Sequence, residues 1–438
     1  MESLVIGNSV NTIGYGAFAG TGVSSVIFGN SVETIGEAAF AGCEELRPFE
    51  LPGSLKTIGE RAFSHCSNLT RMSIPNSVVK IGKEAFSECW HLKQFVIEDG
   101  VNTLNFGEKA LYPVPIDSLY IGRNWTYPEE NSISIGISEV VLGNLVKNVP
   151  EFAFKGSSKM TSLIIGSGVK QIGANAFSGC TALKKIVFPP HIEVIENSAF
   201  TGNTALDSII IGHSVKSIGD KAFDGCTANM VCITAQTPPT APDNVFSNYN
   251  GNLYLQGQKA YDAYNDTFYC WNKFSPCLMI EPTEMKYEGE KILSGKSGDT
   301  FQLKATLMPE NVTLPQVFWR STNPEIATVN QNGLVTLHVD TEEVMYTYSE
   351  SGESTPCKII AESLYANGPV VEFAVSYTQN GVDDIIVNNP TDESTIDYTS
   401  NYDVYNLSGR WVGDSVEGLA HGFYIVRQGT AVKKIAVK

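Results

Sequence analysis

Apolar positions along the first two thirds of the chain recur in one order: Leu-x-x-Ile-x-Ile, then Ile-Gly, then Ala-Phe. One copy reads Leu183-Lys184-Lys185-Ile186-Val187-Phe188-Pro189, then Ile195, then Ala199-Phe200. The next reads Leu206-Asp207-Ser208-Ile209-Ile210-Ile211-Gly212, then Ile218-Gly219, then Ala222-Phe223. Phe154, Phe177, Phe200, Phe223 and Phe246 follow at intervals of 23 residues. The last inward strand residue falls at Ile6, Phe28, Leu51, Ile74, Ile97, Ile121, Leu142, Ile165, Phe188, Ile211, Ile233 and Leu255, with spacings of 21 to 24. A single such unit cannot bury its own apolar face, so the pattern predicts about twelve stacked turns sharing one core.

Each position has a physical reason. The Ile-Gly pairs predict a bend that needs positive φ or a close backbone approach. The Ala of Ala-Phe admits the neighbouring turn while the ring fills the interior. Pro52, Pro75 and Pro189 stand at or just past strand ends, where a missing donor is tolerated. Leu111 replaces Phe in one turn, and the turn through Trp125-Thr126-Tyr127-Pro128 lacks the Ala-Phe pair. Strands keep step across that gap, so residues 105–135 read as an irregular turn rather than a boundary. Tyr261, Tyr264, Phe268, Trp271 and Phe274 step by 3, 4, 3 and 3, which predicts one helical face covering the end of the stack within a cap at 227–277.

From Leu278 the period is lost. Phe301, Leu303, Ala305 and Leu307 alternate, and Val317-Phe318-Trp319, Ala327-Thr328-Val329, Leu334-Val335-Thr336, Lys358-Ile359-Ile360 and Val371-Glu372-Phe373-Ala374-Val375 follow with turns between. This spacing predicts a β-sandwich over 278–380, with an acidic, Ser-rich insertion from Asp340 to Pro356. A polar segment, Gly381 to Ser400, leads to three short strands separated by Gly turns. The fold class is therefore mainly β: a leucine-rich-repeat solenoid over 1–277, a sandwich over 278–380, and a linker with a small β-module over 381–438.

Three resemblances attach to these words. Residues 1–277 resemble the BspA-like leucine-rich-repeat surface proteins, through the L-x-x-I-x-I…I-G-x-x-A-F-x-x-C period and the Tyr-rich end containing Trp271. Residues 278–380 resemble the group 2 bacterial Ig-like domains, through the run from Trp319 to Val329 and Asn332-Gly333-Leu334-Val335-Thr336. The insertion at 340–356 departs from that pattern and bears on the late strand pairing. Residues 381–438 are similar to the C-terminal sorting domains of the type IX secretion system. Together the resemblances imply an exported adhesin, located at the cell surface or secreted.

Composition narrows the function. The net charge of −17 argues against nucleic acid and anionic membrane surfaces as partners. No run approaches the ~18 apolar residues of a membrane span. Met1-Glu2-Ser3-Leu4-Val5-Ile6 begins inside a repeat strand with no basic or apolar leader, and reads as the start of a truncated array whose missing part held further repeats and any signal peptide. His65, His91, His191, His213, His338 and His421 are scattered, and no phosphate-binding, GxSxG or dinucleotide motif occurs, so neither an enzyme, a cofactor nor a metal site is expected.

Five of the nine cysteines, Cys43, Cys66, Cys89, Cys180 and Cys226, lie three residues after a repeat Phe. Thr21, Ser157 and Asn203 hold the same place in other turns, which favours a small buried site over metal ligands or a disulfide ladder. A local bridge between Cys270 and Cys277 is the remaining alternative.

What remains is a surface. The outward column of the concave sheet reads Ile27, Glu50, Ser73, Val96, Tyr120, Val141, Ile164, Val187, Ile210, Cys232 and Tyr254. Its apolar middle, Val96, Tyr120, Val141, Ile164, Val187 and Ile210, is the candidate ligand-binding stripe. Strand propensity alone is the competing explanation. The expectation is a monomeric, non-enzymatic adhesion protein that binds a host or bacterial surface protein or a glycan. The alternative is a scaffold or stalk that mediates assembly between bacterial surface proteins.

Overall fold

In the computed structural model, the described residues are 3–127, 133, 136–265, 270–341 and 357–375, together with four strands beyond residue 400. The chain forms two compact units, Met1–Ser376 and Tyr377–Lys438. The first holds both the solenoid and the Ig-like sandwich.

The Leu-x-x-Ile-x-Ile segments form parallel strands in strict register. Gln94–Ile97, Ser118–Ile121, Glu139–Leu142 and Ser162–Ile164 lie side by side, so that Val96, Tyr120, Val141 and Ile164 fall in one row. The first and third apolar residues of each strand point inward, and Leu119, Ile121, Val140 and Leu142 are fully buried. A second parallel ladder runs along the Ile-Gly position, from Thr12–Ile13 to Trp125–Thr126 and again from Asn148–Val149 to Ser217–Ile218.

Its glycines keep negative φ. What they require is space: a Cβ on Gly36 would stand 2.7 Å from the Ile13 carbonyl oxygen, and one on Gly59 2.6 Å from the Glu37 nitrogen. Of the two reasons expected for these glycines, close approach is the operative one.

A third rail runs through the Ala-Phe loops. Phe40 N donates to Ala62 O at 2.8 Å, Phe177 N to Ala199 O at 2.8 Å and Phe200 N to Ala222 O at 2.7 Å. Positive φ occurs here, two residues before the ring at Ala38, Arg61, Glu84, Asn175, Ser198 and Lys221, and two after it at Gly42, Gly179, Gly202 and Gly225. Non-glycine residues in that region cost about 1 kcal/mol each, which turn-to-turn hydrogen bonding offsets.

Between these rails the rings stack. Phe40–Phe63, Phe63–Phe86, Phe154–Phe177, Phe177–Phe200 and Phe200–Phe223 are each parallel with centroids 5.2 to 5.4 Å apart. In the irregular turn Leu111 is fully buried, and Trp125 meets Phe154 edge-on at 6.2 Å. Arg123 is buried there too, donating to Pro75 O at 2.9 Å and Asn76 O at 2.6 Å, two turns earlier. Sequence reading did not single out this arginine.

The cysteines three residues after each ring donate to the carbonyl of the preceding turn's Phe: Cys43 to Phe18 at 3.1 Å, Cys66 to Phe40 at 3.3 Å, Cys89 to Phe63 at 3.1 Å. All nine cysteines are free thiols, Cys270 and Cys277 included. Burial pushes Cys89, Cys180 and Cys226 up to about 12.

The stack ends differently from expectation. A helix covers only Gly257–Asn265, a 3-10 turn covers Cys270–Lys273, and Phe268 lies outside the described residues. Phe274 and Trp271 close the ring column edge-on to Phe246, at 5.2 and 6.1 Å. The chain then adds one more parallel strand, Ser275–Leu278, beside Asn252–Leu255. Pro276 fits there because an edge strand has no ladder donor to lose.

The sandwich follows. Ile292–Leu293, Val370–Val375, Cys357–Ser363 and Val317–Ser321 form one sheet. Thr300–Gln302, Leu334–Leu337 and Ala327–Val329 form another, and Glu284–Glu288 pairs with Lys304–Met308. Trp319 and Phe373 meet at 5.9 Å in its core. The insertion falls almost wholly outside the described residues. The late strands nonetheless pair antiparallel, Cys357↔Val375 through Glu362↔Val370.

In the second unit, four strands rather than three form a sheet in the order Trp411–Gly413, Asp403–Asn406, Gly422–Gln428, Ala431–Val437. Val404 and Val426 are its described buried residues.

Candidate binding surface

The outward column divides into two parts. Ile27 is 62% exposed and Ile164 39% exposed, and Val96, Tyr120 and Val141 are half-buried. Ile210 is 1% exposed and Cys232 fully buried, because the Ig-like domain sits on them. Met279, Leu314, Leu364 and Tyr365 close over Ile210 and Cys232, and Val187, Met230, Tyr254 and Phe318 pack around that cluster. Ile210 was expected in an open ligand stripe but is buried within the chain, and Val187, half-buried, packs at the edge of the same cluster. Their hydrophobicity reflects a seat for the second domain.

The rim of this seat is polar and regular. Asn144 Nδ2 donates to the carbonyls of Trp319 and Val329 at 2.9 and 2.7 Å, and Ser167 Oγ donates to Trp319 O at 2.6 Å. His191 Nε2 lies 2.7 Å from Glu362 Oε1, and His213 Nδ1 lies 3.1 Å from Leu364 O. Thr234 Oγ1 donates to Leu364 O at 2.8 Å. Gln256 both donates to Ala366 O at 2.9 Å and accepts from Ala366 N at 2.8 Å. These six residues occupy the loop just past each strand, one per turn.

No period in the sequence announces them: the same loop already varies in earlier turns, as Gly7-Asn8-Ser9, Pro52-Gly53-Ser54, Glu98-Asp99-Gly100 and Gly122-Arg123-Asn124.

Two clefts remain along the junction. One, of about 210 Å³, lies between Ile164 and Val187 on the solenoid and Gln316, Phe318 and Trp319 on the sandwich. The other, of about 360 Å³, is polar and is lined by Asp99, Lys147, Lys170, His191, Arg320 and Thr328, among others. Burial raises the Asp99 carboxyl, and the hydrogen bond it accepts from Tyr120 OH at 2.7 Å partly opposes this. Tyr120 is raised in turn, by burial first and then by the Asp99 charge. Glu362 is nearly buried and accepts from Arg320 Nε at 3.2 Å as well as pairing with His191. Among the described residues, no group of His, Cys, Asp and Glu is placed to hold a metal ion.

Parallel strands, stacked rings and inter-turn rails together define a leucine-rich-repeat solenoid. The BspA-type leucine-rich-repeat region matches in six copies over residues 1–114 and 130–252, more than half of the chain, and the protein belongs to that family. Residues 290–340 match the group 2 bacterial Ig-like domain. Similar solved structures include a leucine-rich repeat protein from Bacteroides ovatus, 21% identical, covering 64% of this chain and 84% of that one, TM-score 0.25. Another is the leucine-rich repeat protein of T. pallidum, 24% identical, covering 41% and 77%, TM-score 0.30. A leucine-rich cell surface protein from Faecalibacterium prausnitzii is 19% identical, covering 60% and 90%, TM-score 0.25. Superpositions at that level carry no argument about function. No curated relative matches the chain.

Proposed function

We propose that the protein is a non-enzymatic adhesion protein of the cell surface or extracellular space. Its ligand, a protein or a glycan, binds the part of the concave face that the Ig-like domain leaves open. Val96, Tyr120, Val141 and Ile164 form that face. The observation supporting this reading is the division of a single in-register column: among the described residues the apolar row continues past the buried Ile210, with Val96, Tyr120 and Val141 half-buried and Ile164 39% exposed. Exposed apolar rows beside polar rims mark interaction sites. The Ig-like domain braces the open end and sets its orientation. Residues 381–438 serve export or attachment, a role supported by their position after a polar linker and by resemblance to sorting domains.

The test compares the full chain with a Val96→Lys/Val141→Lys variant on arrays of extracellular matrix proteins and glycans. Ligands of the native chain are lost in the variant while the melting temperature holds. Unchanged binding by a folded variant refutes the assignment of this face.

A further inference from the structure

The polar cleft at the junction has features the apolar column lacks. Its lining combines cations from both domains: Lys147 and Lys170 of the solenoid, exposed, and Arg320 of the sandwich. Lys170 has one distant partner, Glu193 at 3.8 Å, and Glu193 is held more closely by Lys216. Among the described residues, no carboxylate pairs with Lys147. Arg320 uses Nε for Glu362 at 3.2 Å, leaving its two terminal nitrogens without a partner among the described residues. Glu362 is shared between Arg320 and His191, so it neutralises only one of the charges gathered here.

A cluster with surplus positive charge is out of character for a chain of net charge −17, and it lies in a concave site where walls of low polarisability focus its field. The volume of about 360 Å³ falls in the range of small-molecule sites. Ser167, Ser321 and Thr328 line the same cleft with their hydroxyls bonded to Trp319 O, Cys357 Sγ and His338 Nε2, and Asp99 places a carboxylate acceptor at its edge. A carboxylate acceptor and cations within one pocket suit a ligand that carries hydroxyls and one negative charge. A polyacidic peptide would instead meet Asp99 in the cleft, with Glu193 and Glu362 already bonded to the neighbouring cations.

We propose that this interdomain cleft binds an anionic saccharide, its carboxylate or sulfate group held between Lys147 and Lys170 of the solenoid and Arg320 of the Ig-like domain. The site is distinct from the apolar face proposed above, and it exists only while the two domains are docked. Docking is then a condition of binding, and ligand adds to the free energy holding the domains together.

The experiment uses the full chain in low-salt calorimetry with three probes: sialyllactose for the carboxylate, 3′-sulfated lactose for the sulfate, and neutral lactose. At least one anionic probe binds with a stoichiometry of one, and lactose does not. The pair Lys147→Glu/Lys170→Glu, both exposed and outside the docking contacts, weakens binding at least about tenfold with an unchanged melting temperature. Which anionic probe binds separates the two sources of charge. The Val96→Lys/Val141→Lys variant retains the binding. Failure of both anionic probes, equal binding of lactose, or native affinity in the lysine variant overturns the proposal. Saccharide binding lost only in the Val96→Lys/Val141→Lys variant overturns it too, while leaving the apolar-face reading in place.

Discussion

Replacing Ile210 by Asp tests whether docking of the Ig-like domain is what buries the outward column. Ile210 lies on the outer surface of its strand, so the change leaves the solenoid interior intact. Native docking hides its whole side chain, worth roughly 1.5–3 kcal/mol. A carboxylate facing Met279, Leu314 and Leu364 adds the cost of desolvating a charge, several kcal/mol when no partner compensates it. Together the docked state weakens by at least about 3 kcal/mol, more than a hundredfold in the open fraction.

Cys232 is the reporter. It stands in register with Ile210, is fully buried under the same domain, and has its thiol pushed up to about 12 by burial. In a Cys277→Ser background, which removes the one half-exposed thiol, modification of Cys232 by an aromatic disulfide reagent tracks the open fraction. Ile210→Asp therefore raises that rate more than about a hundredfold, with far-UV circular dichroism unchanged. A rate equal to that of the parent refutes docking as the cause of burial.

Phe177→Ala removes a fully buried ring stacked on both sides at 5.3 and 5.2 Å, and costs about 3–5 kcal/mol in a denaturant titration. Hydrogen exchange accelerates in flanking turns and, because the next turns carry the Ig-like domain, also at Cys357–Ser363. Alkaline stability follows from the buried thiols: Cys89, Cys180, Cys226 and Cys270 are raised from 9.0 to about 12. The unfolded chain loses these protons first, so stability is whole below pH 9 and is lost as pH rises toward 12. Each thiol contributes up to about 1.4 kcal/mol per pH unit in that window. Guanidinium titrations at two alkaline pH values measure the slope, which becomes shallower in Cys180→Ala. Deleting residues 381–438 leaves a folded protein in a cytoplasmic host but blocks surface display in the native host, as followed by surface immunoblotting.

The solenoid was legible because its code is redundant: each turn restates the same inward residues, and Phe63, Ala62 and Ile58 say the same thing as Phe200, Ala199 and Ile195. The sandwich was legible from alternation and its Trp319-containing segment. Docking was not, since it depends on residues that each occur once. Asn144, Ser167, His191, His213, Thr234 and Gln256 share the loop past each strand but neither an exact repeat position nor a residue type, so no period announces them. Ile210 and Val187 looked like any outward strand residue. Whether an apolar row faces solvent or another domain is settled by a partner that may lie more than a hundred residues away, as Leu364 does from Ile210. Arg123 escaped notice for a related reason: its acceptors, Pro75 O and Asn76 O, are backbone atoms two turns earlier.

Repeat arrays change length by gaining or losing whole turns, and the polar rim of the docking seat limits where this one can do so. Six rim residues spread over five turn-to-turn steps measure roughly 24 Å along the stack. A turn inserted between Asn144 and Gln256 shifts every contact on one side by roughly 4.8 Å, enough to break them together. A turn inserted before Pro75 lengthens only the part of the array that, among the described residues, makes no hydrogen bond to the Ig-like domain. The array thus has a fixed region and a variable one, and its reach can vary between relatives while the angle between solenoid and Ig-like domain stays constant.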